Sequence, residues 1–173
     1  MDDEIPDGET SELISRPPLE EDLAKLCRRL NELEARYLVV GGFAISQAGF
    51  ARPTGDIDLI IDTNLENEAR VYKALEDLPD KAVLQLDPGD VAKYIVVRVG
   101  DEVLVDLMRS ASGIDYAEAS QHIVTEEVEG VPIPFASPQL LWRMKRHTHR
   151  EKDAADLVFL RELFAKHGVT PPE

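Results

Sequence analysis

The chain has 173 residues, a formal net charge of -15 and 43% hydrophobic residues. That length suffices for one domain with a real core, and that charge argues against broad non-specific binding to nucleic acid or an anionic membrane. The single cysteine, Cys27, excludes an intramolecular disulfide. No apolar run approaches the ~18 residues of a membrane span, and the acidic start is unlike a signal peptide, so a cytoplasmic protein without membrane contact is expected.

Residues 1–17 are acidic, poor in apolar side chains and without period, and read as a mobile tail. The domain is expected to cover 18–168, with 169–173 as a second tail. A helix is predicted from Pro18, because Leu19, Leu23, Leu26, Leu30 and Leu33 form one stripe and Glu20, Glu21 and Asp22 suit its positive end. Cys27 lies on that stripe and reads as a core residue.

Residues 37–40 form a predicted strand that breaks at Gly41-Gly42 into a short helix to about 47. An arm follows with Arg52, Pro53 and Thr54, then a strand over 56–62. A helix is expected over 66–78, then strands over 82–86, 92–99 and 102–108, the last two joined by a turn at Gly100-Asp101. Residues 113–119 suggest a helical turn, and 121–127 with 131–135 a hairpin around Glu129-Gly130. Ser137-Pro138 is a good helix start, and a last helix over about 152–167 ends at Gly168. Strands mixed with helices predict an α/β fold with a mixed sheet and C-terminal helices.

Three features carry chemistry. The glycine turn offers bare N–H groups at a helix start, where a phosphate can bind. Asp56 and Asp58 share one face of a strand, and the mutual repulsion of two carboxylates is relieved by a cation such as Mg²⁺. Asp106 interrupts the apolar run Val103-Leu104-Val105-Asp106-Leu107-Met108, where a charge is costly unless paired or metal-bound. Three such acids can hold two Mg²⁺ ions, one on the leaving phosphates and one at the attacking hydroxyl. Asp62 sits at the far end of its strand and is left out. Arg52 can steady a phosphate or be a plain surface arginine, and Thr54 can serve as a turn hydroxyl. The basic run 145–152 reads mainly as a solvated helix corner, with one or two residues in reach of phosphates. His147-x-His149 has no Cys or His cluster to match it, which argues against zinc.

Together these residues resemble the nucleotidyltransferase superfamily built on the polymerase-beta-like minimal domain, and more closely the AbiEii-type bacterial group that includes toxins of toxin–antitoxin pairs. The resemblance rests on Val39-Val40-Gly41-Gly42-Phe43-Ala44, on Arg52-Pro53-Thr54-Gly55-Asp56-Ile57-Asp58, on Val105-Asp106-Leu107 and on residues 150–157. It implies a mixed-sheet core, Mg²⁺, an NTP donor and transfer of a nucleotide to an acceptor hydroxyl of tRNA or protein, with an antitoxin as a further partner. Gly41 and Gly42 match the phosphate-binding turn, Asp56 and Asp58 the metal ligands, and Asp106 the carboxylate that activates the acceptor. Lys145 and Lys152 match basic residues on the nucleotide side. Gly42 stands where much of the superfamily has serine, although a second glycine is frequent in the toxin-like group. The alternatives are a small-molecule (aminoglycoside-type) nucleotidyltransferase, a non-catalytic nucleotide- or partner-binding module, and an antitoxin-like structural partner.

Overall fold

The computed structural model describes residues 15–172; the expected acidic tail falls mostly on residues 1–14, outside the described residues. The first helix, α1 (Glu20–Glu32), starts after the two prolines rather than on them. Its N-terminus is closed by Asp22, whose carboxylate accepts the Leu19 N–H at 2.7 Å and a forked pair from Arg16. Leu23, Leu26, Cys27 and Leu30 are buried along one side as the spacing predicted, whereas Leu19, which precedes the helix, is exposed and Leu33 is half-buried. Each fully buried leucine contributes ~1.5–3 kcal/mol relative to exposure. Burial also pushes the Cys27 thiol up to about 12, so it stays protonated and inert.

The chain then lays down β1 (Tyr37–Val40), α2 (Gly41–Ala48), β2 (Asp56–Ile61) and α3 (Leu65–Leu75). Next come α4 (Asp90–Lys93), β3 (Val97–Gly100), β4 (Leu104–Met108), a small hairpin β5 (Ser110–Ala111) and β6 (Ile114–Asp115), and α5 (Tyr116–Ala119). The hairpin β7 (Ile123–Val128) and β8 (Val131–Ala136), then α6 (Pro138–Lys145) and α7 (Glu151–Lys166), complete it. Six strands form one mixed sheet in the order β3-β4-β2-β1-β8-β7, as the α/β expectation required. β1 runs antiparallel to β2 and parallel to β8, and β2 runs parallel to β4. The central strand β1 is buried along its whole length, which explains its unbroken apolar sequence. Two groups of helices cover the sheet: α1 with α3, and α2 with α6 and α7.

Three local expectations change. Residues 82–86 are a 3-10 turn (Ala82–Gln85), not a strand. The buried Asp101 carboxylate accepts the N–H groups of Asp80, Ala82 and Glu102, which ties this segment to the β3–β4 turn instead of to a sheet edge. The strand expected over 92–99 is halved because its start is the helical turn α4, preceded by Gly89 at φ +91°. Buried Glu68 holds that turn by accepting from the Gly89 and Val91 N–H groups. Residues 169–172 of the expected second tail fold back: the Trp142 indole donates to the Pro172 carbonyl at 2.9 Å.

Candidate active site

The site grows out of strand register. Across the sheet, Val40 on β1 faces Asp58 on β2, Asp58 faces Asp106 on β4, and Asp106 faces Arg98 on β3. Asp56 lies two residues before Asp58 and therefore on the same face. Asp56, Asp58 and Asp106 each bring an oxygen within 4.8 Å of the other two. Asp106 is buried; the other two are half-buried.

Burial and the neighbouring carboxylates suppress the ionisation of Asp56 and Asp58. Burial pushes the Asp58 carboxyl up to about 7, reinforced by the charges of Asp56 and Asp106. Burial and Asp106 also raise Asp56, against the pull of Arg98 and Lys152. A cluster of hard oxygens at mutual distances a single ion can bridge fits Mg²⁺, and the raised acids show how much a cation would relieve.

Beside the acids stands the N-terminus of α2. Val40 occupies its cap position and offers no side-chain acceptor, so the first-turn N–H groups keep their donor capacity for another partner. Gly41 has φ +70°, and a β-carbon there would collide with the Asp58 carboxylate. A β-carbon on Gly42 would lie 2.8 Å from the Thr54 hydroxyl oxygen. The glycine pair thus lets the turn approach both the metal-ligand candidates and the arm.

A cleft of about 350 Å³ joins these parts. Gly41, Gly42, Arg52, Asp56, Asp58, Asp106, Lys145 and Lys152 all line it, so the residues put forward from sequence for metal and nucleotide binding share one cleft. The basic residues differ in character. Lys145 is buried and its ammonium pairs with Asp153 at 2.9 Å and Asp156 at 3.1 Å. Arg52 makes a forked pair with Asp156, both bonds 2.9 Å. Burial tends to raise Asp153, but bonds from Lys145, Thr148 and Arg150 outweigh it and hold that carboxyl at about 2. Lys152, by contrast, is exposed at the rim, and its charge helps lower the acids.

Sequence reading missed Arg98. Its guanidinium donates to both oxygens of Asp106, at 2.9 and 3.0 Å, and to Asp56 at 2.9 Å. The signal lay in the hairpin: once Gly100 pairs with Leu104, Arg98 must face Asp106. The roles of Asp153 and Asp156, one and two helical steps from the rim of α7, were likewise unread.

No family model and no curated protein sequence matches the chain. Solved structures do. The lincomycin-bound lincosamide antibiotic adenylyltransferase LnuA aligns with TM-score 0.58 and 16% identity over 86% of this chain and 99% of its own. An antigenic nucleotidyltransferase-like protein from Paracoccidioides brasiliensis aligns with TM-score 0.53 and 20% identity, over 83% and 75%. A Thermotoga maritima protein classed as a nucleotidyltransferase aligns with TM-score 0.51 and 16% identity, over 84% and 92%. At these identities the likeness is one of fold. The chain has the mixed α/β fold of nucleotidyltransferases.

Proposed function

We propose that the protein is a Mg²⁺-dependent nucleotidyltransferase that moves an NMP from an NTP to an acceptor hydroxyl. One observation supports this above the rest: the carboxylate triad stands directly against the uncapped glycine turn, so a metal site and a phosphate site share one cleft. Asp56 and Asp58 would hold Mg²⁺, which supplies positive charge to the phosphates and to the developing pyrophosphate. The N–H groups of the α2 turn bind phosphate oxygens, and Lys152 adds a mobile charge at the rim. Asp106 faces the acceptor oxygen and takes its proton as the bond from that oxygen to the α-phosphorus forms and the α–β phosphoanhydride bond breaks. Arg52 and Lys145 act at one remove: they pin α7 against the cleft through Asp153 and Asp156 and position Lys152.

The finer reading is an AbiEii-type enzyme acting on tRNA or protein, as a toxin with a cognate antitoxin. The support is the run Arg52-Pro53-Thr54-Gly55-Asp56-Ile57-Asp58 after a double-glycine turn. The chain's acidity disfavours a broad RNA footprint, which leaves a focused contact at the cleft mouth. A small-molecule acceptor is the second reading, supported by the fold shared with a lincosamide adenylyltransferase.

The test is label transfer. The protein is incubated with Mg²⁺ and each α-labelled NTP, with total tRNA, cell lysate, an antibiotic panel or no addition, beside Asp56→Asn. Label moving to one acceptor class, and falling by about a hundredfold or more in the variant, is expected. Equal transfer by both proteins would overturn the mechanism. Growth arrest on expression, abolished by Asp56→Asn, separates the toxin reading from the small-molecule one.

A further inference from the structure

The triad already has a cation. Arg98 projects from edge strand β3 across β4 and satisfies three of the six carboxylate oxygens: both of Asp106 and one of Asp56. Both carboxylates of Asp58 and Asp56 keep oxygens that Arg98 does not engage through these bonds. Three carboxylates against one guanidinium leave two formal negative charges, which one divalent ion balances. Of the other cations lining the cleft, Lys145 and Arg52 belong to Asp153 and Asp156, and Lys152 stands exposed at the rim, where it acts on the acids only through its field. The Arg98 side chain is 45% exposed, but strand register sets its backbone opposite Asp106 and two of its nitrogens fork onto that carboxylate.

We propose that Arg98 does the work of a second metal ion: it holds Asp106 and one edge of Asp56, and the protein therefore takes a single divalent ion, at Asp56 and Asp58. The inference rests on the nucleotidyltransferase reading for the first ion, and goes beyond it by fixing the number of ions and giving a role to a residue outside the motif. An arginine suits the task because its charge is permanent and its planar fork spans two carboxylates at once. Asp106 is thereby oriented toward the acceptor without a metal of its own, so Arg98 is a positioning residue.

The experiment counts ions without any turnover. Mn²⁺ is titrated into nucleotide-free protein and free Mn²⁺ is followed by electron paramagnetic resonance, for the native chain, Arg98→Met, Arg98→Gln and Asp56→Asn, with melting curves to check folding. One ion is expected in the native protein, two in each folded Arg98 variant, and loss of binding in Asp56→Asn. Two ions in the native protein would overturn the inference and leave the nucleotidyltransferase reading standing, and the native count needs no variant to fold. One ion in a folded Arg98 variant would overturn it as well. No Mn²⁺ bound by the native protein would remove both the inference and the metal-dependent reading beneath it.

Discussion

Gly41 and Asp58 occupy one space: a β-carbon at position 41 would overlap the Asp58 carboxylate, and the glycine holds φ +70°. Two penalties therefore meet in Gly41→Ala. The left-handed backbone costs an alanine ~1 kcal/mol, and displacing a half-buried carboxylate from its place costs more. Urea unfolding should report a loss of ~2–3 kcal/mol, near the upper range for a single backbone and packing change. Mn²⁺ affinity should fall with it, because the displaced side chain is one of the two proposed ligands. A variant with native stability and native Mn²⁺ binding would mean that the turn is not packed on Asp58.

The pH dependence follows from the acids. Burial raises Asp58 to about 7, above the ~3.9 of an unfolded aspartate. A carboxyl raised by folding binds its proton more tightly in the native state. Its contribution to stability is complete below the unfolded pKa and is lost as pH rises through the folded one, here between about 4 and 7. Asp58→Asn, which carries no charge, should then unfold at higher temperature than the native chain at pH 8 in EDTA, by an amount worth ~1–3 kcal/mol. At about pH 3.5, below the unfolded pKa, the two should melt together. Excess Mg²⁺ at pH 8 should stabilise the native chain and leave the variant unmoved. Equal melting at both pH values in EDTA would show that Asp58 is not raised.

Much of this was legible because it is local. The leucine stripe of α1, the glycine break after β1 and the serine cap at Ser137, which accepts the Leu140 N–H, are set by residues within a turn of each other. The three acids were legible because a charge in an apolar strand needs a reason. What stayed hidden depends on distant pairing. Residues 82–86 have strand composition, yet Asp101, some twenty positions on, claims the N–H of Ala82 at their start and of Asp80 just before it. Arg98 looks like any exposed strand residue until β3 is set against β4. The basic run 145–152 looked solvated, but Lys145 is buried because Asp153 and Asp156, a helix later, neutralise it.

The space over Gly42 gives a coupled prediction. A β-carbon there meets Thr54 at 2.8 Å from its hydroxyl and 3.0 Å from its methyl. Gly42→Ser should therefore cost stability, ~1–2 kcal/mol, by pushing Thr54 off its rotamer. Thr54→Ala alone should cost little, since its hydroxyl makes one long bond, 3.4 Å to the Arg52 carbonyl. The double variant should recover most of the loss, with a coupling of ~1 kcal/mol in a double-mutant cycle by urea unfolding. Additive effects would mean that the two residues do not touch.

The two lysines of the cleft should separate cleanly. Lys145 is enclosed with two fully buried carboxylates, and removing it leaves Asp153 with Thr148 and Arg150 and Asp156 with Arg52. Breaking a buried ionic network from one side costs ~3–5 kcal/mol, and the remaining partners here bring that to the lower end. Lys145→Met should accordingly lower the urea midpoint sharply, and any loss of transfer in it would follow the folded fraction. Lys152 is exposed and holds no such network, so Lys152→Ala should unfold within ~0.5 kcal/mol of the native chain. Its effect should fall on the nucleotide instead: a higher KM for NTP at unchanged kcat, which shrinks as salt screens a rim charge. A stable Lys145→Met with raised KM would reverse the assignment and make Lys145 the phosphate contact.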